Sequence, residues 1–394
     1  MSEDRLKYDV IVVGGGPAGS TAGYLLNNFG FKVLIIDKEN FPRQKLCGGL
    51  ITLKTLKLLS RVFGETESSL GKKDILNFRS DQYEILYKNK PIVKNSSHIP
   101  FYFVDRQIYD SFLLERAKEV GAEIIEGEKV KAINLSTSEV VTSKGRRFKA
   151  KFIVGADGVN SITRKELFLK SENDAYKWQH NLATAFEIFN DRTDIREVID
   201  HPIIFFGFVN CGYAWIFPNK DKLLVGLGGL NRANKSNFLD LFHNFLSVLK
   251  LDRGRISKVA GHPVPYGNFL LRPSLNNVVL VGDAAGFVDP VIGEGIFYAQ
   301  RSAELASLAI YKSMRNNENL ETSYLQLLRK YVYPELVNAK EVRRLIFGGF
   351  NNKLHYYPMK ILLNILDKRL IELVHGVRTY KWLKKRGEVV HESL

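Results

Sequence analysis

The sequence predicts an α/β fold: a doubly wound, largely parallel sheet of the dinucleotide-binding kind, with an antiparallel β-sheet inserted into it and helices at the C-terminus. Three observations predict it. An apolar strand at residues 8–13 runs straight into Gly14, Gly16 and Gly19, spaced G-x-G-x-x-G. Two later apolar strands also end in glycine and aspartate, at Gly155-Ala-Asp157-Gly158 and at Gly282-Asp283. Between them, residues 166–271 become rich in aromatics and alternating, the pattern of an antiparallel sheet.

In the first strand, Tyr8 leads into Val10 to Val13, a short buried parallel strand. Gly14 permits the tight turn, Gly16 lets a pyrophosphate approach the backbone, and Gly19 lets the next helix lie close to the sheet. That helix, from Pro17 to about Phe29, has proline in its first turn and turns its positive end to the phosphates. A second strand, Lys32 to Ile36, ends in Asp37, about 20 residues past the glycines, where an acid would bond a ribose diol. A loop follows, with Cys47-Gly48-Gly49 at its end, then a helix from Thr52 to Phe63. Cys47 reads either as a small buried apolar side chain or as a thiol held against something bulky.

Residues 74–104 read as three short strands, Ile75 to Arg79, Tyr83 to Tyr87 and Phe101 to Val104. A helix then starts after Asp105 as N-cap, with Ile108, Phe112, Leu113 and Ala117 on one face and Gly121 closing it. Arg106 in its first turn is misplaced for the helix dipole, so a bound phosphate, a cofactor edge or chance must account for it. Strands to about Val154 lead to Asp157-Gly158 and a Ser161-capped helix carrying Arg164. The inserted region offers strands Leu182 to Phe189, Ile203 to Val209, Tyr213 to Phe217 and Leu223 to Leu230, and a helix Asn237 to Leu249. Tyr213, Trp215 and Phe217 point to one side of their strand, either into a core or into a ligand chamber. Strand 277–281 precedes Gly282-Asp283 and a helix reaching about Met314, with Gly293 to Ile296 at its start.

The remaining chain reads as helices Ser323 to Phe347, Met359 to Gly376 and a short Tyr380 to Arg386. Met359, Leu362, Leu363, Leu366, Leu370, Leu373 and Val374 form an apolar stripe, opposite Lys360, Asn364, Asp367 and Lys368. From Arg329 onward, 14 Lys and Arg face 6 Asp and Glu, about half of the chain's net charge of +15. That charge suits either a solvated surface or contact with anionic lipid; no nucleic-acid module is visible. No stretch approaches the ~20 apolar residues of a membrane span. The polar start argues against a signal peptide, and two cysteines, Cys47 and Cys211, build no disulfide framework. A cytoplasmic location, peripheral on the inner membrane face, is the expectation. No metal-ligand cluster is expected.

The three ordered motifs, Gly14-x-Gly16-x-x-Gly19, Ala156-Asp157-Gly158 and Gly282-Asp283-Ala284-Ala285, resemble the Rossmann-type FAD-binding domain of p-hydroxybenzoate hydroxylase-like flavoproteins. Cys47-Gly48-Gly49, Tyr213-x-Trp215-x-Phe217-Pro218 and Pro290-x-x-Gly293-x-Gly295-Ile296 are most similar to the geranylgeranyl reductase family. Asn210 stands where that family's strand motif opens with proline. The resemblance implies FAD held by Gly14, Gly16, Ala18, Gly19, Asp37, Lys38, Cys47, Gly48, Arg106, Asp157, Asp283, Gly293, Gly295 and Ile296. It implies an oily tunnel lined by Tyr213, Trp215, Phe217 and Gly293, with Cys47 near the reactive ring face. It also implies a discontinuous FAD domain (1–73, 105–165, 272–320), a substrate sheet domain (74–104, 166–271) and a helical region (321–394).

The implied activity is reduction of isoprenoid C=C bonds on a lipid, quinone or pigment, with transient NAD(P)H, ferredoxin or another electron-donor protein as reductant. Tyr213 and Cys47 are the candidate proton donors, since an unpolarised alkene needs a proton as hydride arrives. A flavin monooxygenase or halogenase on the same fold is the competing enzyme reading, and a non-catalytic prenyl-lipid carrier is the third.

Overall fold

The computed structural model describes residues 7–168, 178–192, 199–249, 259–351 and 356–381. Its parallel sheet forms because Val10–Val13, Val33–Ile36 and Phe152–Val154 are apolar on both faces and must be covered on both. The strands lie in the order Ser274–Leu275, Val278–Leu280, Arg147–Gly155, Tyr8–Val13, Val33–Ile36, Glu123–Ile125, with an antiparallel flap of Val130–Asn134 and Glu139–Thr142 on Arg147–Gly155. Helix Pro17–Asn28 crosses one face beside the long helix Ile296–Asn316, and both start at the carboxyl ends of the strands.

The second sheet is eight-stranded, in the order Ala260–Pro265, Leu182–Asp191, Lys222–Leu230, Gly212–Pro218, Ile203–Phe206, Phe78–Tyr87, Lys90–Phe103, Leu50–Ile51. One face is sealed by helix Phe238–Val248, with Phe242 and Phe245 against Ala214, Ile216, Val225 and Leu227. The other face, carrying Trp215 and Phe217, packs in part on helix Tyr356–Val374 through Leu363 and Ile371.

Several elements depart from expectation. The segments expected as Ile75 to Arg79 and Tyr83 to Tyr87 form one strand, Phe78–Tyr87, because the polar Ser80-Asp81-Gln82 stretch is a β-bulge and not a turn. Its partner Lys90–Phe103 is far longer than Phe101 to Val104. Strand Ala260–Pro265 was not expected; its prolines are tolerated because it lies at the sheet edge. The expected helix Ser323 to Phe347 is two helices, Leu320–Tyr331 and Tyr333–Asn351, since Pro334 can begin a helix but not continue one. In helix Arg106–Glu119, Ile108 is exposed, and the buried face runs through Arg106, Tyr109, Asp110, Leu113 and Ala117. In helix Tyr356–Val374, Asn364 and Asp367 face the second sheet, bonded to the Ile92 carbonyl (3.0 Å) and to Asn95 (2.6 Å). The short helix expected from Tyr380 to Arg386 lies mostly outside the described residues.

Candidate functional site

The glycine loop packs as its spacing requires. A Cβ at Gly14 would lie 2.4 Å from the Ala156 carbonyl oxygen, and one at Gly19 would lie 1.7 Å from that of Gly14, so a side chain at either place would force loop, helix and sheet apart. Asp37 closes the second strand with its carboxylate turned back to the loop, accepting from the Gly15 N–H (2.6 Å) and the Glu39 N–H (2.8 Å). Lys38 is exposed and pairs with Glu39, and Ala18 is buried in the first helix.

Two arginines flank this loop and share one carboxylate. Arg106 donates Nε and Nη2 to the two oxygens of Asp110, at 2.8 and 2.9 Å, and Arg43 donates Nη2 at 3.1 Å. Asp110 is fully buried. Burial works against the Arg106 charge, but Asp110, and then Cys47 beside it, more than reverse this and raise its pKa. Arg43 reaches to 3.3 Å from where a Gly16 side chain would begin. A helix start, bare glycine backbone and a net positive Arg–Asp–Arg group together fit a pyrophosphate.

At the next strand end, the Asp157 carboxylate is committed to the helix behind it. It accepts from Ser161 Oγ (2.5 Å), the Ile162 N–H (2.7 Å) and the Thr163 N–H (3.0 Å). Arg164 then bridges the second and third motifs, donating to the Ala284 (3.1 Å) and Val159 (2.8 Å) carbonyls, with Trp178 stacked 3.5 Å from its guanidinium. Burial lowers its pKa to about 10, against the pull of Asp157 and Asp283. Asp283 is itself pushed up by burial and held back by Lys45, Arg106 and Arg164.

The second sheet brings its aromatic row to this edge. Ring centroids of Tyr213 and Trp215 are 5.7 Å apart, and those of Trp215 and Phe217 6.2 Å. The Gly48 backbone lies against the Phe217 ring, and Tyr213 donates its hydroxyl to the Ile292 carbonyl beside Gly293. Cys47 accepts weakly from the Gly49 N–H (3.5 Å). Both cysteines are free; Cys47 packs with Ile51 and Val104, Cys211 with Tyr266 and Phe347, so they occupy different clusters. Among the described residues no group of side chains could hold a metal ion.

The glycine loop and residues around it match the family model described as FAD binding domain, over residues 7–210. The chain is 30% identical to the geranylgeranyl diphosphate reductase of Rhodobacter capsulatus, over 78% of this chain and 77% of that one. It is 27% identical to the digeranylgeranylglycerophospholipid reductase of Methanococcus vannielii, over 96% and 95%. This chain belongs to the geranylgeranyl reductase family of FAD-binding flavoproteins. It is an FAD-dependent oxidoreductase. Its fold matches a geranylgeranyl bacteriochlorophyll reductase-like protein from Thermoplasma acidophilum, with a TM-score of 0.74 at 18% identity over 95% and 93% of the chains. A halogenase, PltM, in complex with phloroglucinol and FAD, shares the same fold with a TM-score of 0.73 at 20% identity, over 94% and 83%.

Within the geranylgeranyl reductase family the Asn210 departure has a local answer. Asn234 donates to the Asn210 carbonyl (2.8 Å) and accepts from the Asn210 N–H (2.8 Å), and proline could not supply the second of these bonds. Sequence reasoning missed several site groups. Lys45 lies 2.6 Å from His262 Nε2, and Glu187, on the strand beside His262, is buried. Burial lowers the His262 pKa to about 3 and raises that of Glu187 to about 7. The alternation of strand 182–191, which sets a glutamate among Ala183, Ala185 and Phe189, is a signal that could have marked Glu187; nothing marked His262, whose strand was unexpected. The loop before Gly293 is also tied down. Asp289, fully buried, accepts from the Val291 (2.8 Å) and Ile292 (3.1 Å) N–H groups and from the Tyr380 hydroxyl (2.9 Å). Glu294 is paired with buried Lys54 and accepts from Thr52 (2.7 Å).

Proposed function

We propose that this oxidoreductase reduces C=C bonds of geranylgeranyl chains on a lipid, quinone or pigment. The observation that carries the reading is the aromatic row Tyr213–Trp215–Phe217, set against the Cys47–Gly48 turn at the edge where the cofactor residues gather. The names carried by the two reductase relatives point to the same substrate class.

The residues present fit FAD. The glycine loop with Arg43 and Arg106 would hold the pyrophosphate, Asp37 the ribose, and Asp283, Gly295 and Ile296 the side of the flavin near the long helix start. Asp157 would act by fixing the helix after the second motif. When bound and reduced, FAD supplies a hydride; everything else falls to the chain. Tyr213, Trp215 and Phe217 would wall an apolar chamber, where burial contributes ~0.8 kcal/mol per CH₂ and water is excluded. Cys47, beside Arg106, would meet the substrate side of the ring. The cofactor would belong to residues 1–73, 105–165 and 272–320 and the substrate to 74–104 and 166–271, with 321–394 as cover.

The lipid reaches such a chamber from a membrane face. Tyr357, Ile361 and Ile365 form an exposed row at i, i+4 and i+8, 71%, 62% and 71% accessible, and Arg369 continues it. No helix among the described residues is long and apolar enough to cross a membrane. We assign this row to peripheral contact with anionic lipid, and the reductant to NAD(P)H or a ferredoxin-class carrier.

Anaerobic incubation of the dithionite-reduced protein with geranylgeranyl lipids tests the reading. The expected result is a mass gain of one H₂ per bond reduced; a product formed only with O₂ would make it an oxygenase, and a protein purified without flavin absorbance would make it a carrier.

A further inference from the structure

The second sheet places an acid on the chamber face. Antiparallel register sets Trp215 opposite Gly226 and Gly226 opposite Glu187, while Tyr213, Gly228, Ala185 and His262 form the neighbouring row. Directly paired residues share a face, so Glu187 and His262 stand on the same side as the aromatic row. Two glycines, 226 and 228, separate them from it. The Trp215 ring lies on Gly226, where a Cβ would meet it at 2.3 Å. Glu187 is 3% exposed, and one of its carboxyl oxygens has no hydrogen-bond partner. A buried carboxylate in that condition is costly, and the neutral acid is the favoured form.

We infer that Glu187 is the proton donor for the double bond, fed by the Lys45–His262 pair. This rests on the reductase reading above. As hydride reaches one alkene carbon, the Glu187 O–H bond breaks and its proton forms the new C–H bond at the other carbon. The carboxylate left behind takes its next proton from the Lys45 ammonium, which solvent then restores, while neutral His262 holds Lys45 by accepting a hydrogen bond from it (2.6 Å). The cations that act on Glu187 are Lys45 and Arg106; Asp283 and Cys47 act in turn on Lys45, and Glu187 acts on Tyr213. Tyr213 is the weaker candidate, since burial raises its pKa and its proton is already given to the Ile292 carbonyl.

Two measurements on the FAD-loaded protein test this. Thermal melts across pH compare wild type with Glu187→Gln. The group is a raised acid, so wild-type stability is lost as pH rises through about 7. The Tm advantage of the variant should therefore grow between pH 5 and pH 8; a constant difference overturns the assignment. Single-turnover reduction of a geranylgeranyl lipid should slow by roughly 10²- to 10⁴-fold in Glu187→Gln at unchanged FAD content. Glu187→Asp should recover part of the rate, and the wild-type rate should fall above about pH 7. A Glu187→Gln rate and pH profile equal to wild type overturns the inference while leaving the reductase intact. A wild type inert to the lipid overturns the reductase reading itself and removes the alkene as the target of Glu187.

Discussion

Asp110 holds two guanidinium groups with no exposed surface, so the two arginines that share it are not equivalent. Arg106 is itself buried and bidentate; Arg106→Ala leaves the buried carboxylate with Arg43 alone and should cost up to about 3–5 kcal/mol, read as a fall in Tm. Arg43 makes one bond at the rim of the glycine loop. Arg43→Ala should leave the fold standing and weaken FAD binding by about 1.5–3 kcal/mol, roughly 10- to 100-fold, measured by flavin fluorescence titration. The misplaced charge of Arg106 was visible in the sequence, because a cation in a helix's first turn needs an explanation. Its partner was not. Asp110 is four residues on, and helical spacing alone does not say whether such a pair faces solvent or the cofactor.

At the scale of elements, local pattern read well wherever one signal dominated. The strand–glycine–helix unit at residues 8–28 and the strand Gly212–Pro218 are where hydrophobicity and turn chemistry place them. Reading failed where two signals conflict: Ser80-Asp81-Gln82 looks like a turn and is a bulge, and His262-Pro263 looks like a loop and is an edge strand. In helix Tyr356–Val374 the periodic stripe was right about Leu363 and Leu370, yet it hid a second apolar row at Tyr357, Ile361 and Ile365. That exposed row gives a prediction at its own scale. Ile361→Asp with Ile365→Asp should leave Tm and FAD content unchanged and reduce co-sedimentation with anionic vesicles; unchanged sedimentation would return this surface to plain solvent.

Across the whole molecule, a contact of 91 residues' separation joins the C-terminal segment to the loop that precedes the long helix, Tyr380 to Asp289. No periodicity or motif announces it, since long-range hydrogen bonds leave no local trace. Tyr380→Phe removes both bonds to a carboxylate that also braces the Val291 and Ile292 amides. The loop should then loosen, with a lower Tm and faster FAD release; a release rate like wild type would show that the brace is not needed. The strand Gly212–Pro218 has a further consequence. Its odd-numbered residues carry the aromatic row on one face of the sheet, whereas Ala214 and Ile216 are glued to the helix behind. Under the proposed reduction of prenyl chains, taste for one chain or another can thus drift at every second residue while the intervening ones keep the scaffold whole, and an engineer altering substrate length should edit one parity of this strand and leave the other alone.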